Sequence, residues 1–211
     1  MTQKSPQLLF LPGASGNTSF WYPLIQCLKT SYSYKIIAYP GFGDAPVQPE
    51  IQSFETLTEY VLNQIEEPSI LIAQSMGGIF AVAATLQKPD LIKGLVLIAT
   101  SGGINLEPFH ARDWRQDYQQ QYEDYPDWFM RTKVNYETLL SEIQLNILLI
   151  WGDCDPISPV AVGKHLQNQF KDAHLNIIQG GDHMLAEAHA DEVALLIQDY
   201  LLNNPHIGME I

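Results

Sequence analysis

Short apolar runs alternate along the chain with longer segments of helical periodicity. The runs contain almost no polar positions, and glycine or proline lies close to most of their ends. Near-continuous hydrophobic runs are typical of strands that are buried on both faces, as in a parallel sheet. We predict six strands, at Leu8–Leu11, Ile36–Tyr39, Ile70–Ala73, Leu95–Ala99, Ile147–Trp151 and Leu175–Ile178.

Helical patterns lie between most of these runs. One segment places Phe54, Leu57, Val61 and Ile65 on a single helical face and has Ser53 as a plausible N-cap. Further helices are predicted in GGIFAVAATLQKPD, PVAVGKHLQNQF and ADEVALLIQDYLLN. This alternation predicts an α/β fold, with a mostly parallel sheet of about six strands and helices on both faces.

Residues 102–142, called the insertion below, depart from this alternation. The insertion has no strand run, is acidic, and contains the aromatic residues Phe109, Trp114, Tyr118, Tyr122, Tyr125, Trp128, Phe129 and Tyr136. It could be an ordinary two-helix connection whose aromatic side chains pack on the core. It could also be a short helical cap over the carboxyl edge of the sheet, because long insertions in compact domains are commonly functional.

We adopt the cap interpretation as the prediction. Residues 1–101 and 143–211 then form the core, and 102–142 forms the helical cap. Trp114, Trp128 and Phe129 are the predicted pocket residues on the inner face of the cap.

Composition and charge restrict the possible functions. The chain has 211 residues, 46% of them hydrophobic, and a formal net charge of −13, which favours one domain and opposes binding to nucleic acid or a membrane surface. No stretch approaches the roughly 18 apolar residues of a membrane span, and the apolar run near the N-terminus is short for a secretory signal. We therefore expect a cytoplasmic protein whose two cysteines are reduced.

The segment ILIAQSMGG carries a candidate nucleophile, Ser75, where the third apolar run meets a helix. A sharp strand-to-helix turn lifts such a side chain above the carboxyl edge of the sheet. The turn needs small neighbours, which Ala73, Gly77 and Gly78 supply. Unpaired N–H groups at the helix N-terminus can stabilise an oxyanion.

A serine hydroxyl needs a base and an orienting acid, and later loops offer both. Asp153 and Asp155 follow the fifth run, and His183 follows the sixth. Parallel strands bring such loops to one edge of the sheet. Asp155 is the preferred acid, because Asp153 is better placed to bind backbone N–H groups of its own turn.

With these residues the chain resembles the α/β-hydrolase family, in its small esterase-like form. Besides the serine turn, the segments LFLPGASGNTSFW, AYPGFGDAP, WGDCDPISP and GGDHMLAEAHADEVALLIQDYL are similar to its oxyanion, Gly-x-Gly, acid and histidine loops. The resemblance implies the roles of nucleophile for Ser75, acid for Asp155 and base for His183. It also implies backbone N–H donors at Met76 and Ala14.

Three departures from the family pattern are visible. Ala73 stands where the serine motif usually has glycine, Pro12 where the oxyanion loop usually has histidine, and Tyr39 where many relatives have aspartate. Backbone donors do not depend on side-chain identity, so we expect the oxyanion site to tolerate Pro12.

The predicted function is hydrolysis of a small-molecule carboxylic ester or thioester without a metal or cofactor. The same three residues also serve carbon–carbon bond hydrolysis, lyase, acyltransferase or cofactor-free haloperoxidase chemistry in relatives, and some relatives only bind a ligand. The sequence leaves the substrate and the oligomeric state open.

Overall fold

The six predicted strands form one parallel sheet. The structure is a computed structural model that describes residues 5–204 and 207, and its strand order is β2-β1-β3-β4-β5-β6. The strands are β1 (Gln7–Leu11), β2 (Tyr34–Ile36), β3 (Ser69–Gln74), β4 (Ile92–Ile98), β5 (Ile147–Gly152) and β6 (Ala173–Ile178). The α/β fold class and the strand number are therefore confirmed.

Alternate residues of each strand pack against two separate layers of helices. On one face, Leu71 joins a core that contains helical residues such as Phe80, and on the other face Ile72 joins a core that contains helical residues such as Ile197. Every residue of β3 is buried, which explains its unbroken apolar run. The two-layer arrangement confirms the prediction of helices on both faces.

Eight α-helices connect or flank the strands in the described ranges 5–204 and 207. They are α1 (Tyr22–Cys27), α2 (Phe54–Asn63), α3 (Met76–Gln87), α4 (Arg115–Gln121), α5 (Trp128–Arg131), α6 (Val160–Gln169), α7 (Leu185–Ala188) and α8 (Ala190–Asn203). Short 3-10 helices lie at Thr18–Trp21, Glu107–Phe109 and Glu137–Glu142. Ser53 caps α2 as predicted, since its hydroxyl accepts a hydrogen bond from the Thr56 N–H.

The predicted bounds of the second strand were wrong. The apolar run lies at Ile36–Tyr39, but β2 spans Tyr34–Ile36 and pairs with Leu8 to Phe10 of β1. Ile37 and Tyr39 are buried in the loop that follows β2. An apolar run indicates burial rather than strand pairing, and here the buried residues lie past the C-terminal end of β2.

The insertion contains α4, α5 and two of the 3-10 helices. Its aromatic residues pack against one another and against the core beside Phe42. Phe129 and Tyr118 are buried in this cluster, whereas Trp114 and Trp128 are half-buried. The insertion is thus joined to the core by side-chain packing.

The helices of the described ranges are short or carry polar faces. None of those in residues 5–204 and 207 is long and apolar enough to cross a membrane.

Candidate active site

Ser75 lies in a strained turn between two elements. It is the single residue between β3 and α3, and its φ of 52° and ψ of −121° lie outside the regions that non-glycine residues ordinarily adopt. Its N–H donates to the carbonyl of Ile98 at 3.1 Å. Its own carbonyl accepts from the Thr100 hydroxyl at 2.6 Å and from the Gly78 N–H at 3.0 Å. These bonds hold the backbone in the strained conformation.

The two glycines after Ser75 allow neighbouring segments to come close. A Cβ atom added at Gly77 would lie 2.3 Å from the carbonyl oxygen of Leu11, and one at Gly78 would lie 2.3 Å from the Thr100 hydroxyl. Both distances are shorter than any real contact of this kind, so a side chain here would displace β1 or Thr100. Ala73 is fully buried in β3, where it pairs with Leu11 and Leu97.

His183 connects Ser75 with Asp155 by two hydrogen bonds. Its Nε2 lies 3.0 Å from the Ser75 hydroxyl, and its Nδ1 lies 2.8 Å from Oδ2 of Asp155. With Asp155 ionised, Nδ1–H donates to the carboxylate, and Nε2 is free to accept the serine proton. The imidazole keeps 17% of its side chain exposed, whereas the Asp155 side chain is fully buried.

The Asp155 carboxylate is held by its own loop. Its second oxygen, Oδ1, accepts hydrogen bonds from the N–H groups of Ile157 at 2.8 Å and Ser158 at 3.0 Å. Such donors stabilise a buried carboxylate in its charged form. The histidine loop is held as well, because the Gln74 amide donates to the His183 carbonyl at 3.0 Å.

Asp153 has different partners. Its Oδ1 accepts from the Gly180 N–H at 2.7 Å and lies 3.4 Å from the Cys154 sulfur. Of the two acids in this loop, Asp155 is the one whose carboxylate contacts His183.

Two backbone N–H groups beside Ser75 are available to a ligand. Those of Ala14 and Met76 have no hydrogen-bond partner within the described part of the chain. The Ala14 loop, which is residues 12–17 between β1 and the first 3-10 helix, approaches the serine closely, since a Cβ atom added at Gly13 would lie 3.3 Å from the Ser75 Cβ. The structure therefore brings the predicted donor loop to the predicted nucleophile.

Sequence patterns did not indicate a buried polar network that connects the acid loop with the Ser75 turn. The Ser158 hydroxyl accepts from the Trp151 indole N–H at 3.1 Å and donates to the Thr100 carbonyl at 3.2 Å. Thr100 in turn binds the Ser75 carbonyl. The available signal was position alone, since both hydroxyl residues lie in loops that directly follow a strand.

The three predicted pocket residues belong to the aromatic cluster of the insertion. Trp114 and Phe129 stack with ring centroids 5.6 Å apart, and Trp128 lies edge-on to Phe42 at 5.9 Å. Phe129 is buried among other rings, so most of its surface contacts protein. Trp114 and Trp128 keep partly exposed faces.

Across residues 5–204 and 207, no group of three or more His, Cys, Asp and Glu side chains is placed to hold a metal ion.

Two family profiles match the chain. The profile of the family described as alpha/beta hydrolase fold matches residues 6–138, and a second profile, described as TAP-like protein, matches residues 113–207. The first match covers more than half of the chain and includes four of the six strands, β1 to β4. The chain belongs to the alpha/beta hydrolase fold family.

Individual relatives share limited sequence identity with the chain. A protein of Pseudoalteromonas atlantica named pimeloyl-[acyl-carrier protein] methyl ester esterase is 34% identical over 97 residues, which are 46% of this chain and 38% of that protein. The chain thus spans well under half of that relative. A protein of the same name from Neisseria meningitidis serogroup A is 20% identical over an alignment that covers 92% of this chain and 76% of the relative.

A solved structure supports the fold. The thermophilic esterase from Thermogutta terrifontis superposes with a TM-score of 0.78 at 16% identity, covering 95% of this chain and 91% of the esterase. At this level of identity the likeness concerns the fold alone.

Proposed function

We propose that this protein is a serine hydrolase that cleaves a carboxylic ester or thioester. The observation that carries the proposal is the continuous hydrogen-bonded series from buried Asp155 through His183 to Ser75, with distances of 2.8 and 3.0 Å. The names of the relatives support ester hydrolysis as the reaction class.

In the acylation step, His183 Nε2 takes the Ser75 proton while the hydroxyl oxygen attacks the carbonyl carbon. The resulting tetrahedral intermediate collapses as His183 returns the proton to the leaving alcohol or thiol. Water then attacks the acyl-enzyme with His183 again as base, which releases the acid and restores Ser75. Asp155 stays ionised and holds the imidazole in the tautomer that leaves Nε2 unprotonated.

The free N–H groups of Ala14 and Met76 stabilise the developing oxyanion. Each such donor can contribute roughly 3–4 kcal/mol to transition-state stabilisation. The N-terminus of α3 adds a partial positive charge at the same point.

We propose that the insertion acts as a cap that contacts the substrate. Its packing beside the Ala14 loop and the partly exposed faces of Trp114 and Trp128 support this role and favour an apolar or aromatic acyl group. Because two relatives are named for a methyl ester carried on an acyl-carrier protein, methyl esters belong in the first substrate panel.

The proposal is tested with a fluorophosphonate probe and the Ser75→Ala variant. The wild-type protein should be labelled at Ser75 and should hydrolyse p-nitrophenyl esters. Ser75→Ala should not be labelled and should lose at least about 10⁴-fold in kcat, because the nucleophile is gone while the fold is retained.

Ser141→Ala is the matched control, since Ser141 is exposed on the 3-10 helix at Glu137–Glu142. This variant should behave as wild type in both assays. A folded wild-type protein that is neither labelled nor active on any ester would refute the proposal. Turnover that depends on Ser75 without a trapped acyl-enzyme would instead favour lyase chemistry.

A further inference from the structure

Three consecutive carbonyl groups of the Ala14 loop each accept one hydrogen bond. The Pro12 carbonyl accepts from the buried Tyr39 hydroxyl at 2.9 Å, and the Gly13 carbonyl accepts from the Gly16 N–H at 3.0 Å. The Ala14 carbonyl accepts from the Tyr118 hydroxyl at 2.7 Å. The Ala14 N–H belongs to the same peptide group as the Gly13 carbonyl, which accepts the second bond. The other two bonds hold the peptide groups on either side, so all three bonds set the orientation of the Ala14 N–H.

These three donors come from different parts of the molecule. Tyr39 is the third residue after β2, and Gly16 is in the Ala14 loop itself. Tyr118 is on α4, within the insertion. The bond that it donates spans 104 positions of the chain and fixes the Ala14 loop from the side of the insertion.

Packing holds the Tyr118 side chain in place. Its ring lies 5.0 Å from the Phe129 ring, 5.6 Å from that of Trp114 and 4.7 Å from that of Tyr122, between centroids. Burial raises the pKa of the Tyr118 hydroxyl far above its ordinary value, so the group remains a donor at every working pH. The hydroxyl is therefore a fixed donor and not an adaptable surface group.

We propose that Tyr118 is a positioning residue that aims the Ala14 N–H at the oxyanion and so makes completion of the oxyanion site depend on the position of α4. The inference rests on the proposed function, because it presumes an oxyanion at Ser75. Donors that stabilise a transition state act through preorganisation, so a loosened donor loses catalytic effect even when it remains present. Displacement of the insertion would then weaken the chemical step.

The test is Tyr118→Phe, which removes one hydroxyl and keeps the ring. We expect kcat for a p-nitrophenyl ester to fall about tenfold and KM to stay within about threefold, because a ground-state carbonyl needs the donor less than an oxyanion does. Tyr125→Phe is the matched control. Tyr125 lies in the same ring cluster, and its hydroxyl has no hydrogen-bond partner in the described ranges.

A pair of ketone inhibitors separates positioning from general packing. A trifluoromethyl ketone forms a hemiketal: the Ser75 oxygen bonds to the carbonyl carbon, the proton passes to His183, and the carbonyl oxygen becomes the oxyanion. The matching methyl ketone binds without this addition. In Tyr118→Phe, the inhibition constant of the trifluoromethyl ketone should rise by the same factor by which kcat/KM falls, and that of the methyl ketone should not change.

The ratio of the two inhibition constants does not depend on the folded fraction, so a destabilised variant still gives an answer. The inference would be overturned if the ratio of the two inhibition constants is the same in Tyr118→Phe as in the wild type. This holds whether kcat stays within twofold of wild type or both inhibition constants shift together. Fluorophosphonate labelling at Ser75 in the same preparation would leave the proposed function intact in that case. An unlabelled Ser75 in the wild type would instead overturn the proposed function.

Discussion

Two carboxylates at the residue scale show how the fold separates roles. Asp153 and Asp155 are two positions apart, yet one binds the Gly180 N–H and the other binds His183. The Asp155 side chain has no exposed surface and two further N–H partners of its own loop. Its carboxylate therefore faces the imidazole from a position without exposed surface.

The exchange of each acid for its amide separates the two roles. Asp155→Asn should lower kcat by roughly 10³–10⁴-fold, because an amide cannot hold the neutral imidazole in the required tautomer. Asp153→Asn should change kcat less than about tenfold, since it alters a turn bond away from the imidazole. Both are measured with a p-nitrophenyl ester at fixed pH. An equal loss in the two variants would contradict the assignment of Asp155.

At the scale of the elements, the junction of β3 and α3 has the largest effect on the geometry of the candidate site. One residue makes the connection, and the space it needs comes from Gly77, which lies against the carbonyls of Leu11 and Pro12. Those carbonyls belong to the strand end and loop that lead to Ala14. Any change in the junction is therefore transmitted to the predicted oxyanion site.

Two substitutions that each add or remove one methyl group should differ widely in their effect on activity. Ala73→Gly should keep activity within about tenfold and cost about 1 kcal/mol of unfolding free energy, because it only removes a methyl from a buried strand. Gly77→Ala should lower kcat at least about 100-fold, because the added Cβ would meet the Leu11 carbonyl at 2.3 Å. Ester kinetics and urea unfolding measure both effects, and a large loss in Ala73→Gly would show that its methyl supports the turn.

Charge is the property that matters at the scale of the whole molecule. The formal net charge is −13, and the three arginines of the insertion each pair with a neighbouring aspartate, as Arg112–Asp117, Arg115–Asp113 and Arg131–Asp127. These pairs offset the positive charge of the arginines of the insertion. An anionic substrate should therefore approach against a negative potential.

Salt should thus accelerate the reaction of an anionic ester and leave a neutral one unchanged. Raising ionic strength from 0.01 to 0.15 M shortens the Debye length from about 30 to about 8 Å, and kcat/KM for p-nitrophenyl hemisuccinate should rise about two- to threefold. The neutral p-nitrophenyl butyrate is the control. A fall with the anionic ester would reveal a positive site that the net charge conceals.

The sequence by itself determined the fold class and the candidate residues. Unbroken apolar runs indicated a parallel sheet, and because parallel strands end at one edge, Ser75, Asp155 and His183 could be grouped from their positions after strands. Spacing also predicted the Ser53 cap of α2, since capping depends on residues within one turn. Local periodicity and strand-end position carry this information.

Only the tertiary structure decided what depends on contacts between distant segments. It assigned the acid loop's two carboxylates to different partners, moved the second strand to Tyr34–Ile36, and joined Tyr118 to the Ala14 carbonyl. A hydrogen bond between residues 104 positions apart leaves no periodic signal in a single sequence, because either residue type is ordinary in its own segment. The contact between the insertion and the Ala14 loop depends on such a bond, and so does the proposed positioning role of Tyr118.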